Sequence, residues 1–491
     1  MLHHSYRKSV PSNMRFPCLT RLVLCLLLMA LASFSAADSE LPNIGDSASA
    51  ELSQAKEIEL GRVLLTEIRR GLPISNDPEL VQYIQALGTR IISGGLESNF
   101  PFTFLLVENP SINAFAMPGG IIAINSGLFT LTTRESELAS VIAHEIAHVT
   151  QRHIARNLEN AKSFNVVSAL TFLGAILASI YNVDLGQAAL MTSQAGLQQA
   201  TLAYSRAFEQ EADRIGMHLM VSAGIDPYGM PQFFKRMHKY TQLNHGKLPE
   251  FLRTHPLTLQ RISESEARAR QYRGAYAFNS IDYDYARARA LALSEPPTEL
   301  IEHYRVKGRT PGGLSDVEHY AYALALSRAG RHEQGLRRLE EITVNTENRL
   351  TVRLANAQIR LAMGQTATAT LESLDRIYPG SLPVTYYLAM SLIKEDRAQR
   401  ALEKLDQLSR AQVQHPLIDK VKAKAASKAQ IPWRSHESLG NFYAAHGQYD
   451  IAMEQVELAL QSPGIDLSSK ARIEARKIQL RQLEQQREQF R

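Results

Sequence analysis

The run His144-Glu145-Ile146-Ala147-His148 is the part of the sequence whose residue types and spacing best suit chemistry. On a helix, residues four apart lie on one face, so the two histidines can bind one metal ion. Glu145 lies one residue along and can reach a water molecule at that ion. Flanking apolar residues predict a largely buried helix, and His153 falls on another face and receives no role. The pattern indicates metal-assisted hydrolysis; the alternative is a pair of hydrogen-bonded core histidines beside a surface glutamate.

Another ligand should come from further along the chain, where Glu209 and Glu211 are the candidates. A catalytic zinc site uses three protein ligands and keeps one position open for water. Glu209 and Asp213 are four residues apart in a predicted helix and share a face. This spacing favours Glu209 as the ligand and Asp213 as a carboxylate that orients a metal-bound histidine. Glu211 stays open as an alternative ligand on spacing alone, and otherwise we expect it to be solvated.

Periodicity and turn residues predict the elements that must position these side chains. Apolar residues at helical spacing predict helices, a short apolar run predicts a strand, and Pro118-Gly119-Gly120 predicts the turn of a hairpin. We expect Thr132 or Thr133 to cap the histidine-bearing helix, which continues through about His153. The predicted helices cover 57–70, 78–92, 204–223 and 257–270, with a strand at 102–107 and the hairpin at 113–125.

The stretch from Phe164 to Tyr181 contains no charged side chain. Three interpretations are open: a buried or partner-facing helical hairpin that runs on to about Gln199, a peripheral membrane-docking element, or a short transmembrane span. Its length is borderline for a span, and Ser, Thr, Gly and Asn are scattered through it. These observations favour the helical hairpin.

The C-terminal part of the sequence is repetitive. Ala321, Ala355 and Ala389 follow one another at intervals of 34 residues, and Gly330 and Gly364 have the same separation. This period, with a turn in the middle of each unit, is typical of tetratricopeptide helix pairs, and a generic helical bundle is the alternative. The last unit matches the repeat pattern through Leu439, Gly440, Tyr443, Gly447, Tyr449, Ala452 and Ala459. We therefore predict an α-solenoid, whose register is lost between 412 and 432, so the number of repeats stays open.

The N-terminal 37 residues are typical of a secretory signal. Arg15 and Arg21 precede an apolar run at 22–34, and small residues follow at Ser35-Ala36-Ala37. We expect cleavage after Ala37, with an uncleaved membrane anchor as the alternative. Both cysteines lie in this segment, so we expect neither disulfides nor thiolate ligands in the mature chain. Without the segment the net charge falls from +5 to +1, with 50 basic against 49 acidic residues, which gives no electrostatic case for nucleic-acid binding.

In combination, these motifs resemble the zinc metallopeptidase family of HtpX and the CAAX prenyl protease. The resemblance covers about residues 50–270. It rests on His144-Glu145-x-x-His148, Glu209-x-x-Ala212-Asp213, Asn113-Ala114-Phe115-Ala116-x-Pro118-Gly119-Gly120, Glu135-Ser136-Glu137-Leu138 and Thr254-His255-Pro256 with Arg261-Ile262. It implies a mostly helical α+β, zincin-type domain with a small sheet. It also implies one Zn²⁺ per chain, bound by His144, His148 and Glu209.

The same resemblance implies roles for other residues. Glu145 would be the general base, and an edge strand from Ile121–Asn125 would hold an extended substrate by backbone pairing. His255 would be a fourth, removable zinc ligand or a stabiliser of the oxyanion; the alternative is a loop histidine fixed by its neighbouring proline. Arg206 is a further oxyanion candidate, with an ion pair as the alternative role.

The signal and the repeats are similar to periplasmic members of the family. This similarity implies a periplasmic endopeptidase, also chaperone-like, whose polypeptide substrates are misassembled outer-membrane β-barrel proteins. The repeats would contact the β-barrel assembly machinery. Two alternatives are a tetratricopeptide adaptor with a little-used protease site and a membrane-embedded protease. The predicted organisation is a signal peptide (1–37), a metallopeptidase domain (38–300) and a repeat domain (301–491).

Overall fold

The computed structural model describes residues 52–95, 100–160, 205–244, 248–343, 349–410 and 415–489. In these ranges the chain is mostly helical with one small sheet, which confirms the predicted α+β fold. The described residues, from 52 to 489, form one compact unit. The predicted signal and the predicted hairpin from Phe164 to Gln199 lie outside the described residues. No helix in the described ranges is both long and apolar enough to cross a membrane.

The part of the chain that carries the histidine motif surrounds a sheet with helices. Ser53, Asp77 and Ser205 each begin a helix by accepting a backbone N–H, which satisfies a donor that a helix start leaves unpaired. The predicted helices and strands are confirmed here to within a few residues at their ends. The elements are α1 (Gln54–Gly71), α2 (Pro78–Ser93), β1 (Thr103–Val107), β2 (Ala114–Met117), β3 (Ile121–Asn125), α3 (Leu128–Leu131), α4 (Glu135–Thr150), α5 (His153–Asn160), α6 (Arg206–Ser222), α7 (Gly229–Leu243), α8 (Glu250–Thr254) and α9 (Leu259–Ala269).

The sheet has the strand order β1-β3-β2. β3 pairs in parallel with β1 and antiparallel with β2, so Ala123 lies opposite Leu105 on one side and Phe115 on the other. Gly119 and Gly120 form the predicted hairpin turn with φ values of 80° and 84°, which glycine adopts without strain. The expectation that β3 is an edge strand is wrong, because both of its sides are paired. β2 lies at an edge instead.

The start of helix α4 differs from the prediction. Its N-cap is Arg134, without a side-chain cap, rather than Thr132 or Thr133. The Thr133 backbone N–H donates instead to Glu137 Oε2 at 2.6 Å, so the glutamate reaches back over the first turn. Every residue of α4 except the last is buried, so the helix is a rigid platform for the histidine motif.

The end of α4 also differs from the prediction. The helix stops at Thr150 rather than near His153. Arg152 adopts a left-handed φ of 53°, which a right-handed helix cannot contain. The chain therefore changes direction before α5, and His153 becomes the first residue of a new helix.

The remainder of the described chain is a succession of helices joined by tight turns, which confirms the predicted repeat architecture. Gly330, Gly364 and Gly447 adopt left-handed φ values of 76°, 84° and 65° between paired helices, and Asp396 and Gln430 do so at 58°. The helices are α10 (Ile281–Ser294), α11 (Pro297–Lys307), α12 (Asp316–Arg328), α13 (His332–Glu340), α14 (Leu350–Ala362), α15 (Thr368–Ile377), α16 (Leu382–Lys394), α17 (Ala398–Arg410), α18 (Pro416–Lys428), α19 (Pro432–Ala445), α20 (Tyr449–Gln461) and α21 (Leu467–Gln489).

A buried arginine joins the sheet-bearing part to the repeats. Arg289 of α10 has a side chain that is 1% exposed, and it pairs with Asp77 at 2.6 Å and Glu79 at 2.9 Å. It also donates to the hydroxyls of Tyr320 and Tyr387 at 3.1 and 3.0 Å. Helices α10 and α11 share an apolar core with α12. A boundary between domains at residues 300 and 301 stays a prediction.

Candidate metal centre

Four buried side chains bring their donor atoms together between α4, α6 and the end of α8. His144 and His148 come from α4, Glu209 comes from α6, and His255 directly follows α8. The donor atoms all lie within 4.8 Å of one another, and each residue is at most 2% exposed. His144 Nε2 lies 3.0 Å from His148 Nε2 and 3.3 Å from His255 Nδ1. Glu209 Oε1 lies 3.0 Å from His255 Nδ1 and 3.4 Å from His148 Nε2.

This arrangement fits a tetrahedral metal ion. Two nitrogen ligands of a tetrahedral zinc lie about 3.3 Å apart, close to the separations among these donors. The outer Nδ1 atoms of His144 and His148 face Asp213 and His153 at 3.0 and 2.9 Å. With protons on those outer atoms, two lone pairs face each other at 3.0 Å between the Nε2 atoms, a contact that a cation would relieve. The residues present therefore fit a metal held by nitrogen and oxygen ligands.

Glu145 lies beside this donor set and is fully buried. Its Oε1 is 3.4 Å from His255 Nε2. Burial raises the pKa of Glu145 above its usual value, although the neighbouring His255 and His144 act to lower the pKa. The backbone of Ala116 in β2 also lowers this pKa, so the edge strand lies directly beside the carboxylate. A carboxyl group beside the position where water would bind can accept a proton and return it during hydrolysis.

Asp213 and Arg261 hold the two ligand-bearing helices in register. Asp213 Oδ1 lies 3.0 Å from His144 Nδ1, on the side of the ring away from the donor set. Arg261 donates from Nε to Asp213 at 2.7 Å, and its Nη1 lies 2.6 Å from Glu209. Burial opposes the charge on Asp213, but Arg261 and His144 hold the pKa of Asp213 below its usual value. The sequence identified Arg261 only as part of a motif, because its link to Glu209 requires the fold.

His153 and Glu211 also belong to the surroundings of the site, which the sequence analysis missed. His153 Nδ1 lies 2.9 Å from His148 Nδ1, and His153 Nε2 lies 3.2 Å from Glu211 Oε2. Arg156 donates to the same Glu211 oxygen at 2.9 Å. Glu211 reaches solvent, as expected, with a side chain that is 26% exposed, but it also has two partners that the spacing did not predict. His153 was excluded because an uninterrupted helix would turn it away, and the break at Arg152 turns it back.

The other two candidates lie in different surroundings. His255 enters the donor set, and its ring stacks on Phe251 with 4.6 Å between the ring centroids. Arg206 is exposed in the first turn of α6. Among the contacts of the described residues, none joins Arg206 to the four donors. The structure therefore gives no support to an oxyanion role for Arg206.

The sequence matches known proteases over its sheet-bearing part. Residues 78–269 match the profile of peptidase family M48. A putative β-barrel assembly-enhancing protease of Vibrio cholerae is 40% identical over 272 residues, which are 55% of each chain. The β-barrel assembly-enhancing protease of Escherichia coli K12 is 33% identical over 315 residues, 63% of this chain and 64% of that protein. The mitochondrial metalloendopeptidase OMA1 of Schizosaccharomyces pombe is 33% identical over 185 residues, 38% of this chain and 51% of that protein.

The matches span about half to just under two thirds of the length of these proteases. Among solved structures, the crystal structure of the P58(IPK) TPR domain is 12% identical, covers 71% of this chain and 89% of that chain, and has a TM-score of 0.16. That TM-score is too low to carry an argument about the fold. The sequence match and the buried histidine motif agree on the same stretch of chain. Residues 78–269 therefore match peptidase family M48, in a chain that is similar to the β-barrel assembly-enhancing proteases.

Proposed function

We propose that this chain is an endopeptidase that binds one Zn²⁺ through His144, His148 and Glu209. The observation that carries the proposal is the convergence of these buried donors beside Glu145, inside a domain of a peptidase family. Zinc is the metal whose usual ligands in peptidases are two histidines and a glutamate. The relatives that are named as metalloendopeptidases support the same activity.

In the proposed reaction, Glu145 transfers protons and Asp213 positions a metal ligand. Zn²⁺, when bound, would polarise the scissile carbonyl and lower the pKa of a water molecule to about 7. Glu145 accepts the proton of the attacking water and later delivers it to the leaving amine. Asp213 keeps the proton of His144 on Nδ1, which leaves Nε2 available as a ligand.

β2 is the strand that we propose to hold the substrate. It lies at an edge of the sheet, and the backbone of Ala116 adjoins Glu145. An extended polypeptide that pairs with a sheet edge gains backbone hydrogen bonds whatever its side chains are. Pairing with β2 would carry a peptide bond past the Glu145 carboxylate.

We propose that the arrangement with His255 is a closed form of the site. His255 Nδ1 faces the ligand set while its Nε2 faces Glu145. One ring therefore fills the fourth ligand position of the proposed metal and also contacts the proposed general base. His255→Ala should therefore increase cleavage of an unstructured protein such as casein, measured as initial rate per zinc-loaded chain. His218→Ala, at an exposed position of α6, serves as the control. A clean loss of activity in the His255 variant would instead favour a role in stabilising the oxyanion.

For the cellular role, we propose quality control of outer-membrane β-barrel proteins in the periplasm, after removal of residues 1–37. Misassembled β-barrel proteins would be the substrates, and the repeats would contact the assembly machinery or act as a chaperone. The names of the relatives support the link to β-barrel assembly. Stacked helix pairs expose an extended surface that suits binding of other proteins. The proposed division places the peptidase domain at 38–300 and the repeats at 301–491.

Metal analysis is the direct test of the zinc proposal. The chain from Asp38 would be purified, its metals measured by mass spectrometry, and Glu209→Gln compared with Glu264→Gln as a control. We expect about one zinc per chain in the wild type and the control, and a sharp loss in Glu209→Gln. No zinc in the wild type, even after reconstitution, would contradict the proposal and favour the adaptor alternative.

Two further experiments separate the alternatives. If Glu145→Gln preserves the cellular role while substitutions on the repeats abolish it, the adaptor alternative is favoured. A membrane-embedded protease would stay in the membrane fraction after carbonate extraction, whereas a peripheral docking role for Phe164 to Tyr181 predicts release.

A further inference from the structure

We propose that His153 and Glu211 position His148 for metal binding, as an outer pair that fixes which nitrogen of His148 carries the proton. This inference rests on the proposed function, because it assumes that His148 binds the metal through Nε2. It assigns a positioning role to two residues that make no contact with the proposed ion. Three side chains in a row, His148, His153 and Glu211, carry this role together with the residues that pack around them.

The hydrogen-bond directions along this row have one consistent assignment for neutral rings. A histidine that binds a metal through Nε2 carries its proton on Nδ1. The Nδ1–H of His148 then donates to His153 Nδ1, 2.9 Å away. His153 must carry its own proton on Nε2, from which it donates to Glu211 Oε2 at 3.2 Å. The opposite form of His153 would place two N–H groups against each other.

Packing holds the His153 ring in the orientation that this row requires. The ring is fully buried and stacks on Phe208, with 4.4 Å between centroids and 12° between planes. The Arg156 guanidinium lies 4.5 Å from the centre of the same phenyl ring and also donates to Glu211. Glu211 is therefore held at the one end of the row that reaches solvent.

His144 and His148 are oriented in different ways, although both arrangements end at a carboxylate of α6. Asp213 faces the Nδ1 of His144 directly, at 3.0 Å. No carboxylate of α6 reaches His148 in the same way, and His153 bridges the gap to Glu211. Metal-bound histidines usually donate their outer N–H to a carboxylate, a carbonyl or water, and loss of such a partner weakens metal binding. For His148, the acceptor of the outer N–H is His153, which in turn donates to the Glu211 carboxylate.

The test measures zinc affinity, by competition with a chromogenic chelator, in the chain from Asp38. We expect Glu211→Leu and His153→Phe to weaken zinc binding by about 10–100-fold. Glu211→Gln should stay within about threefold of the wild type, since its amide oxygen still accepts from His153. Arg214→Gln is the control, because it removes a cation at an exposed position of the same helix and leaves the row of atoms intact.

Three outcomes would overturn the inference: wild-type affinity in Glu211→Leu, an equal loss in Arg214→Gln, or no rescue by Glu211→Gln. If Glu211→Leu and His153→Phe fail to fold, nitrogen-15 NMR of the wild-type histidine rings still decides. We expect protons on Nδ1 of His148 and Nε2 of His153, and a proton on Nδ1 of His153 would contradict the proposal. Absence of zinc binding in the wild type would instead contradict the proposed function, so the two failures are distinguishable.

Discussion

At the scale of single residues, Arg261 explains how two carboxylates stay ionised in a buried site. It donates to both oxygens of Asp213, at 2.7 and 2.8 Å, and lies 2.6 Å from Glu209. Buried charges without partners are strongly unfavourable, and a planar guanidinium offers several donors in fixed directions. A lysine has a single nitrogen and could not replace these contacts together. The positions of a proposed ligand and of its helix neighbour therefore depend on one side chain.

Asp419, in the first turn of α18, predicts a pH-dependent change in stability. Burial raises its pKa to about 6, against the lowering by Lys422 and Arg476, and Glu437 raises it further. The folded chain thus binds this proton more tightly than the unfolded chain, whose aspartates titrate near pH 4. The contribution of Asp419 to the free energy of unfolding should fall as the pH rises from about 4 to about 6 and then stay level. We expect Asp419→Asn to be about 1 kcal/mol more stable than the wild type at pH 8, measured by urea unfolding.

The control for this prediction is Asp450→Asn, an exposed position in the first turn of α20. Both substitutions remove a negative charge from a helix start, which by itself destabilises by a few tenths of a kcal/mol. Only Asp419→Asn should gain stability at pH 8 and converge with the wild type near pH 4. Equal effects at pH 4 and pH 8 would contradict the assigned pKa shift.

Individual site residues differ in how far the sequence could predict them. Spacing alone places His144 and His148 on one face, because the helix period is fixed. Spacing favoured Glu209 without excluding Glu211, and the structure brings Glu209 into the donor set. His153 could not be found from helical spacing, because a left-handed residue interrupts the helix. Such a break depends on tertiary packing that no local pattern records.

At the scale of elements, α1 packs against the hairpin turn without any side chain between the two backbones. A Cβ added to Gly61 would lie 2.6 Å from Pro118 O and 2.7 Å from Gly119 Cα. Both atoms belong to the backbone, so the helix and the turn would have to move apart. We expect Gly61→Ala to lower the free energy of unfolding by about 1–3 kcal/mol, measured by urea unfolding.

Gly71→Ala is the matched control in the same helix, because a Cβ there would meet no atom within 4 Å. Alanine is the better helix former, so this substitution should leave stability unchanged or raise it by a few tenths of a kcal/mol. A loss of stability in Gly61→Ala without a loss in Gly71→Ala would distinguish close packing from helix propensity. Equal effects of the two substitutions would contradict the packing argument.

The elements themselves were predictable where local patterns determine them. The hairpin follows from its Pro-Gly-Gly turn, and α2 follows from apolar spacing and a proline at its start. Strand order was not predictable in this way. β1 pairs directly with β3, although β2 lies between them in the sequence. β3 is therefore the central strand, although its sequence is that of an ordinary hairpin strand. Partner choice between strands depends on the whole core.

At the scale of the whole molecule, Arg289 links the sheet-bearing part to the repeats. Replacing it by leucine would leave the largely buried carboxylates of Asp77 and Glu79 without their cation. Removing one partner of a buried ion pair typically costs about 3–5 kcal/mol. We expect Arg289→Leu to lower the free energy of unfolding by at least about 3 kcal/mol, and to split one urea transition into two. Tryptophan fluorescence reports the repeats, since Trp433 lies in α19, and far-UV circular dichroism reports the whole chain.

Arg349→Leu is the control for this junction. Arg349 pairs with Asp282, whose side chain is 72% exposed, so its loss should change stability by less than about 1 kcal/mol. A single, unshifted transition in Arg289→Leu would contradict the assigned role of the junction.

The repeat architecture was predictable where glycine marks the turns. Gly330, Gly364 and Gly447 identify helix pairs in the sequence, because left-handed backbone favours glycine. At Asp396 and Gln430 the same backbone conformation is carried by other residues, so the sequence pattern is interrupted there. The structure places α18 in the stretch where the repeat register is lost.

Helix α6 carries Glu209, Glu211 and Asp213, and each of these carboxylates contacts a different partner at the proposed metal centre. The three contacts therefore form or break together when this one helix docks or leaves. A population of chains with weakened α6 packing would divide into fully loaded and empty molecules, with few of intermediate affinity. Under that all-or-none behaviour, metal content counts the fraction of molecules in which a single helix is in place.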